Sequence, residues 1–102
     1  MGTAGYKLLF TDTAARVMED LERHEQYSRK LKKVRKALGQ LESNPRHSAL
    51  RSHRYSSLRG VGGETVWDSY AENHTPSAWR IFWHYGPESQ TVTVVAIGPH
   101  PD

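Results

Sequence analysis

Two amphipathic stripes follow one another in the first half of the chain, and their spacing most constrains the fold. The first stripe has four apolar residues on one helical face: Ala14, Val17, Met18 and Leu21. The second repeats the pattern: Leu31, Val34, Leu38 and Leu41. The Thr11-Asp12-Thr13 cluster favours a helix start, Ser28 is positioned to cap the second helix, and the first is expected to run to about Glu25. Asn44-Pro45 ends the second, because a residue before proline disfavours the helical region. The pattern predicts an αα-hairpin.

Runs typical of β-strands surround this hairpin. One precedes it at residues 6–10, and three follow it at 64–72, 79–85 and 91–97, with turn sequences at 73–77 and 86–90. Residues 46–63 are polar, basic and glycine-ended, and we expect a loop there with a short strand near 55–58. The order β-α-α-β-β-β indicates an α+β fold, a mainly antiparallel sheet of about four strands covered by the αα-hairpin.

The length and composition exclude several classes of protein. A chain of 102 residues has room for one domain, expected over 1–102 with residues 1–5 as a loose end. It has no cysteine, which removes disulfides, thiolate nucleophiles and iron–sulfur clusters. No apolar run is long enough to span a bilayer and the start does not read as a signal peptide, so we expect no membrane contact and a cytoplasmic protein. The histidines lack metal-ligand spacing, and neither a metal nor a cofactor is expected.

Charge is divided unevenly along the chain. Residues 1–60 carry thirteen lysines and arginines against six acidic residues, whereas residues 61–102 carry one arginine against five acidic residues. A basic half on a small domain suggests a polyanionic partner such as nucleic acid, although a solvated helix pair gives the same pattern. The basic candidates for contact with such a partner lie in the second helix and the following loop: Arg29, Lys30, Lys32, Lys33, Lys36, Arg46, Arg51, His53 and Arg54.

Alternation along the strand at 79–85 separates two faces. Ile81 and Trp83, with Trp79 and Tyr85, form the better core face, which leaves Arg80, Phe82 and His84 on the other. Arg80 is the only basic residue after residue 60, lysine and arginine counted, and its fixed fork of donors suits phosphate. A structural ion pair with Asp68 or Glu72 on the neighbouring strand is the alternative.

Three further side chains are candidates for chemistry or binding. His100 lies between two prolines on a rigid terminal turn, where a histidine can transfer a proton near neutral pH, although such a residue also occurs simply at a surface. Tyr70 and Phe82 are placed to stack on unpaired bases. His84 shares the strand face of Arg80 and either supports that arginine or packs beside it.

The order of these segments resembles the RelE/ParE toxins of bacterial type II toxin–antitoxin systems. The likeness covers about residues 6–101 and rests on the hairpin, Asn-Pro-Arg-His at 44–47, Leu-Arg-Gly at 58–60, Val-Trp-Asp-Ser-Tyr-Ala-Glu-Asn at 66–73, Ala-Trp-Arg-Ile-Phe-Trp at 78–83 and Val-Ala-Ile-Gly-Pro-His-Pro at 95–101.

The resemblance implies an endonuclease that cuts messenger RNA in the ribosomal A site without metal. The 2′-OH of the RNA attacks the adjacent phosphodiester, a general base and a general acid move the protons, and arginines stabilise the phosphorane. It assigns Arg80 to the phosphate and His100 to proton transfer. Arg59, in the region where RelE-like enzymes carry lysines, is a further candidate for the catalytic site. The partners it implies are a cognate antitoxin, the ribosome and mRNA.

This sequence departs from the resembled enzymes at the general base. The lysines of RelE-like enzymes are replaced by arginines, and Tyr55 or Ser56 stands near the position of the YoeB-like glutamate. Asp68 or His53 is the candidate replacement. The alternatives are a ParE-type toxin that inhibits DNA gyrase, an inactive member that binds only its antitoxin, and a basic RNA-binding module unrelated to toxins.

Overall fold

The computed structural model describes residues 5–72 and 77–99 of the chain. Within these ranges the chain forms two α-helices and five strands. The strands are β1 (Lys7–Phe10), β2 (His53–Arg59), β3 (Thr65–Tyr70), β4 (Trp79–Tyr85) and β5 (Thr91–Pro99). The helices are α1 (Asp12–Arg23) and α2 (Ser28–Ser43). Residues 1–4 of the predicted loose end and 73–76 of a predicted turn lie outside the described residues.

The start of α1 follows its predicted capping signal, whereas the end of α1 and the start of α2 differ from the prediction. Thr11 caps α1, since its hydroxyl accepts from the Ala14 N–H at 3.2 Å. α1 ends at Arg23, two residues earlier than predicted, and a 3-10 turn at Glu25–Tyr27 continues directly into α2. Ser28 is therefore the first residue of α2 and not its cap.

The five strands form one sheet in the order β1-β5-β4-β3-β2. β1 runs parallel to β5, and the remaining neighbours are antiparallel. The α+β prediction is confirmed, but the sheet has five strands instead of about four. The difference is β2, where a longer strand replaces the predicted loop with its short strand at 55–58. A register shift between Arg54 and Arg59 interrupts its pairing with β3, and such irregular strands carry a weak alternation signal.

The helices pack on one face of the sheet and form the main core with it. Ile81 and Trp83 are almost fully buried in this core, as alternation predicts, and Trp67 packs against it. Arg80 and Phe82 alternate with these two residues along β4 and therefore point to the face opposite the helices. No helix in the described part of the chain is both long and apolar enough to cross a bilayer.

Candidate functional site: the Arg80 cluster

Arg80 and Asp68 form an ion pair on the sheet face opposite the helices. Arg80 Nη1 donates to both carboxylate oxygens of Asp68 at 3.0 Å, and the Asp68 side chain is fully buried. The Arg80 side chain keeps 14% exposure. Arg80 pairs with Tyr70 across β3 and β4, and Asp68 with Phe82. The arginine is thus fixed in position, and the ion pair considered from the sequence is present.

Aromatic contact completes the placement of the guanidinium. The Arg80 Cζ atom lies 3.8 Å from the Tyr70 ring centroid, and Arg51 Cζ lies 5.2 Å from the same ring. A guanidinium over an aromatic face is stabilised electrostatically and loses little freedom on binding an anion. Two arginines therefore converge on one tyrosine.

His53 contacts Asp68 from the neighbouring strand. His53 Nε2 lies 3.4 Å from Asp68 Oδ2, and Nδ1 lies 3.3 Å from the Arg51 carbonyl oxygen. Both ring nitrogens face acceptors, so both contacts become hydrogen bonds only when each nitrogen carries a hydrogen. Half of the His53 side chain is exposed, which leaves it open to a ligand. We call these five residues the Arg80 cluster: Arg51, His53, Asp68, Tyr70 and Arg80.

The basic surface of α2 reaches the Arg80 cluster. Four of its predicted RNA-contacting residues are exposed: Arg29, Lys32, Lys33 and Lys36. Lys33 and Lys36 line a groove of about 300 Å³ together with Tyr70 and Glu72. The structure therefore places these two lysines beside the aromatic member of the cluster, at the end of β3.

Lys30 differs from the other basic residues of α2. Its ammonium lies 3.2 Å from Glu72 Oε1 and 4.8 Å from the centre of the Trp79 ring. Glu72 Oε1 also accepts from the Trp79 N–H at 2.9 Å. This interaction ties α2 to the sheet, so the structure gives Lys30 a stabilising contact.

Glu72 is expected to make stability depend on acid pH. Burial raises the pKa of Glu72, but the Trp79 N–H and Lys30 outweigh it and hold that pKa below its usual value. A carboxyl with a lowered folded-state pKa stabilises the protein above its unfolded pKa of about 4.5, and the contribution disappears as pH falls through the lower folded value. Glu72→Gln should therefore flatten the loss of unfolding free energy below about pH 5. Urea unfolding across pH 3–7 measures this, with Glu19→Gln on the exposed side of α1 as control; equal acid sensitivity of Glu72→Gln and wild type would contradict it.

Several predicted residues lie away from the cluster. Arg59 pairs with Thr65, five residues along β3 from the partner of Arg80, which is about 16 Å at strand spacing. His84 is only 6% exposed, and its Nδ1–H donates to the Tyr85 carbonyl at 2.7 Å, so it packs in the protein interior. Arg54 is exposed on β2, and Arg46 lies in the loop after α2. His100 lies outside the described residues.

Two arrangements could not be identified in the sequence. Trp83 Nε1 donates to Ser69 Oγ at 2.7 Å, and Ser69 Oγ lies 2.6 Å from Ser52 Oγ, which joins the core to the segment before β2. One residue after Trp83 along β4, His84 approaches Gly60: a Cβ on Gly60 would collide with the Glu64 carboxylate and lie 2.9 Å from His84 Cδ2. Isolated serines and a glycine carry no pattern that predicts such long-range contacts. Among the described residues, no three potential metal ligands come together.

Comparison with solved structures identifies the fold. A YoeB/ParE toxin from Agrobacterium tumefaciens superposes with a TM-score of 0.68 at 17% identity, covering 93% of this chain and 99% of that one. A chain of the archaeal RelE–RelB complex from Pyrococcus horikoshii superposes with a TM-score of 0.60 at 11% identity, covering 93% of this chain and 94% of that one. A chain of the RelBE2 toxin–antitoxin complex from Mycobacterium tuberculosis superposes with a TM-score of 0.57 at 23% identity, covering 94% of this chain and 99% of that one. No protein-family model and no curated protein matches the sequence. The chain thus has the RelE/ParE toxin fold over nearly its whole length.

Proposed function

We propose that this chain, acting as a single domain, is the toxin of a toxin–antitoxin pair and cleaves mRNA on the ribosome. The observation that carries the proposal is the fixed guanidinium of Arg80 on the sheet face opposite the helices, in a protein with the RelE/ParE fold. The exposed lysines of α2 beside Tyr70 supply a surface for the RNA backbone. The proposed site of action is the cytoplasm, where ribosomes and mRNA are available.

The proposed reaction uses the RNA as its own nucleophile. The 2′-oxygen forms a bond to phosphorus, the bond from phosphorus to the 5′-oxygen breaks, and the products are a 2′,3′-cyclic phosphate and a 5′-hydroxyl. One proton leaves the 2′-OH and one reaches the 5′-oxygen. Negative charge grows on the phosphoryl oxygens in between, and a donor already fixed in place stabilises this charge most effectively. No step of this reaction requires a metal ion.

The side chains of the cluster suggest separate roles. Arg80 binds the phosphoryl group, and Asp68 positions Arg80 because a fully buried carboxylate is shielded from the RNA. His53 is half exposed beside this pair and is our candidate for proton transfer within the described residues. The resemblance assigns His100 the second proton transfer. Arg59 belongs, in this proposal, to the outer binding surface.

An antitoxin is the proposed protein partner. Two of the superposed structures are toxin–antitoxin complexes, RelE–RelB and RelBE2. An acidic antitoxin segment that covers the basic α2 surface and the Arg80 cluster would neutralise the charge that RNA requires. Such a segment would block both binding and cleavage.

Replacing the scissile nucleotide by its 2′-deoxy analogue should stop cleavage, because the substitution removes the attacking oxygen. The measurement uses purified protein with ribosomes programmed with a synthetic mRNA that carries one deoxynucleotide at the cut site. A deoxynucleotide placed three positions away is the matched control and should leave the cut intact. Cleavage of the substituted site, or products bearing 5′-phosphates, would indicate attack by water and contradict the mechanism.

Gyrase inhibition or antitoxin binding without nuclease activity is the second candidate function. It is favoured by the low exposure of Arg80 and by its pairing with Asp68, which are also features of a structural ion pair. One assay separates the candidates: the purified protein is added to programmed ribosomes, to free mRNA and to a gyrase supercoiling reaction. Our proposal requires cleavage of ribosome-bound mRNA and unchanged supercoiling. Inhibited supercoiling with intact mRNA would support the gyrase alternative, and no effect on either would support the inactive member.

A further inference from the structure

A cleft of about 560 Å³ lies on the helix side of the sheet, away from the Arg80–Asp68 ion pair. It opens between the loop that follows α2 and the strands β3 and β4. Its lining combines aromatic rings with cationic or donor groups, chiefly Arg46, His47, Arg51, Trp67, Trp83 and Tyr85. None of its lining residues within the described chain is acidic. A volume of this size lies within the range of small-molecule sites.

The aromatic wall of the cleft is fixed by ring contacts. Trp67 and Trp83 are stacked with ring centroids 6.2 Å apart, and Tyr85 meets Trp83 edge-on at 5.0 Å. Trp83 is buried, whereas Tyr85 keeps 40% exposure, so the outer ring offers a surface that the inner rings hold in place. A planar aromatic ligand can stack on such a ring without sequence-specific hydrogen bonds.

The cationic rim of the cleft is held by the backbone. His47 Nδ1 accepts from the Ala49 N–H at 3.0 Å, which leaves Nε2 as the donor of the neutral ring. Arg51 lines the inner side of the cleft in a left-handed backbone conformation with φ of 49°, and its guanidinium lies over Tyr70 in the Arg80 cluster. Arg46 is exposed, and its charge acts on the Tyr85 hydroxyl, whose pKa is raised mainly by burial and also by Tyr6, with Arg46 opposing them. Positive charge therefore borders the exposed aromatic ring.

We propose that this cleft binds a nucleotide, with the base stacked on Tyr85 and Trp67 and the phosphate held by Arg46 and His47. The combination of an aromatic wall and a cationic rim without carboxylates fits a ligand that is planar at one end and anionic at the other. The nucleotide is either free or the phosphorylated end of an RNA strand, and both present the same chemistry. The site is separate from the face where Arg80 would act, so it does not depend on the proposed nuclease activity.

Calorimetric titration of the purified chain tests this inference. The probes are the four nucleoside 5′-monophosphates, the matching nucleosides, inorganic phosphate, and a 5′-phosphorylated trinucleotide. Tyr85→Ala and Arg46→Ala should each weaken nucleotide binding about tenfold or more, because each removes a stacking surface or a charged donor. Tyr85→Phe keeps the ring and should bind like wild type, which also guards against a misfolded alanine variant. Arg16→Ala, an exposed arginine on α1 outside the cleft, is the matched control.

Each outcome supports or overturns the proposal. Saturable binding of a monophosphate that depends on Arg46 and Tyr85 but not on Arg16 supports a free nucleotide. If only the trinucleotide binds, and its binding depends on Arg46 and Tyr85 but not on Arg16, the result supports the phosphorylated end of an RNA strand as the ligand. Equal binding of inorganic phosphate, unchanged binding by both cleft variants, or no binding of any probe overturns the inference. Competition by an acidic peptide that contains tryptophan, where nucleotides fail, would assign the cleft to a protein segment and overturn it as well.

Discussion

Arg80→Ala is expected to lower the free energy of unfolding by about 3–5 kcal/mol, the range measured when one partner of a buried ion pair is removed. The Asp68 carboxylate is fully buried and accepts both of its Arg80 hydrogen bonds at 3.0 Å, so the substitution removes two charge-assisted hydrogen bonds from a buried carboxylate. Urea unfolding monitored by circular dichroism measures the loss. Arg16→Ala is the control and should change stability by less than about 0.5 kcal/mol.

Asp68→Asn in an Arg80→Gln background provides the complementary test. This pair removes both charges and keeps groups that can hydrogen-bond, so much of the stability lost in Arg80→Ala should return. A loss below about 1 kcal/mol in Arg80→Ala would show that the ion pair contributes little and that Asp68 is satisfied in another way.

Arg80→Lys should reduce cleavage of ribosome-bound mRNA by about 10²–10³-fold, the effect of removing one fixed donor to a developing oxyanion. Lysine keeps a positive charge next to Asp68, so most of the stability should remain. It lacks the planar guanidinium that contacts the Tyr70 ring, so the fixed donors for the phosphoryl group are lost. Single-turnover cleavage of programmed ribosomes measures the rate, and a melting curve of the same preparation confirms folding. Lys32→Ala, on the exposed side of α2, should weaken binding and leave the rate of the bound complex nearly unchanged.

The combination of these variants distinguishes a catalytic arginine from a structural one. If Asp68→Asn with Arg80→Gln restores stability but not cleavage, Arg80 has a role beyond holding the fold. Full cleavage by Arg80→Lys or by the double variant would assign Arg80 to structure alone and remove the basis of the proposed mechanism.

Local patterns in the sequence predicted helix α2 and the core face of strand β4. The stripe of Leu31, Val34, Leu38 and Leu41 identified α2 because helical spacing repeats every few residues, and alternation placed Ile81 and Trp83 in the core. β2 was underestimated because its bulged pairing with β3 weakens alternation, and its polar residues read as a loop.

The site depends on contacts between segments that are distant in the sequence. Alternation and strand order suggested Asp68 as a partner of Arg80, since their strands are neighbours, but the complete burial of the carboxylate follows from packing that no local pattern records. The left-handed Arg51 and the Lys30–Glu72 contact are likewise tertiary. The separation of Arg59 from Arg80 follows from the register of β2, which the sequence did not define.

Primer extension on a translated reporter mRNA after brief induction of the chain tests the central claim most directly. The account predicts new breaks inside translated codons with wild type, few or none with Arg80→Lys at equal protein level, and none in a reporter whose start codon is removed. Growth arrest without breaks, or breaks equally strong in Arg80→Lys or in the untranslated reporter, would contradict the proposal that this chain cleaves mRNA on the ribosome through Arg80.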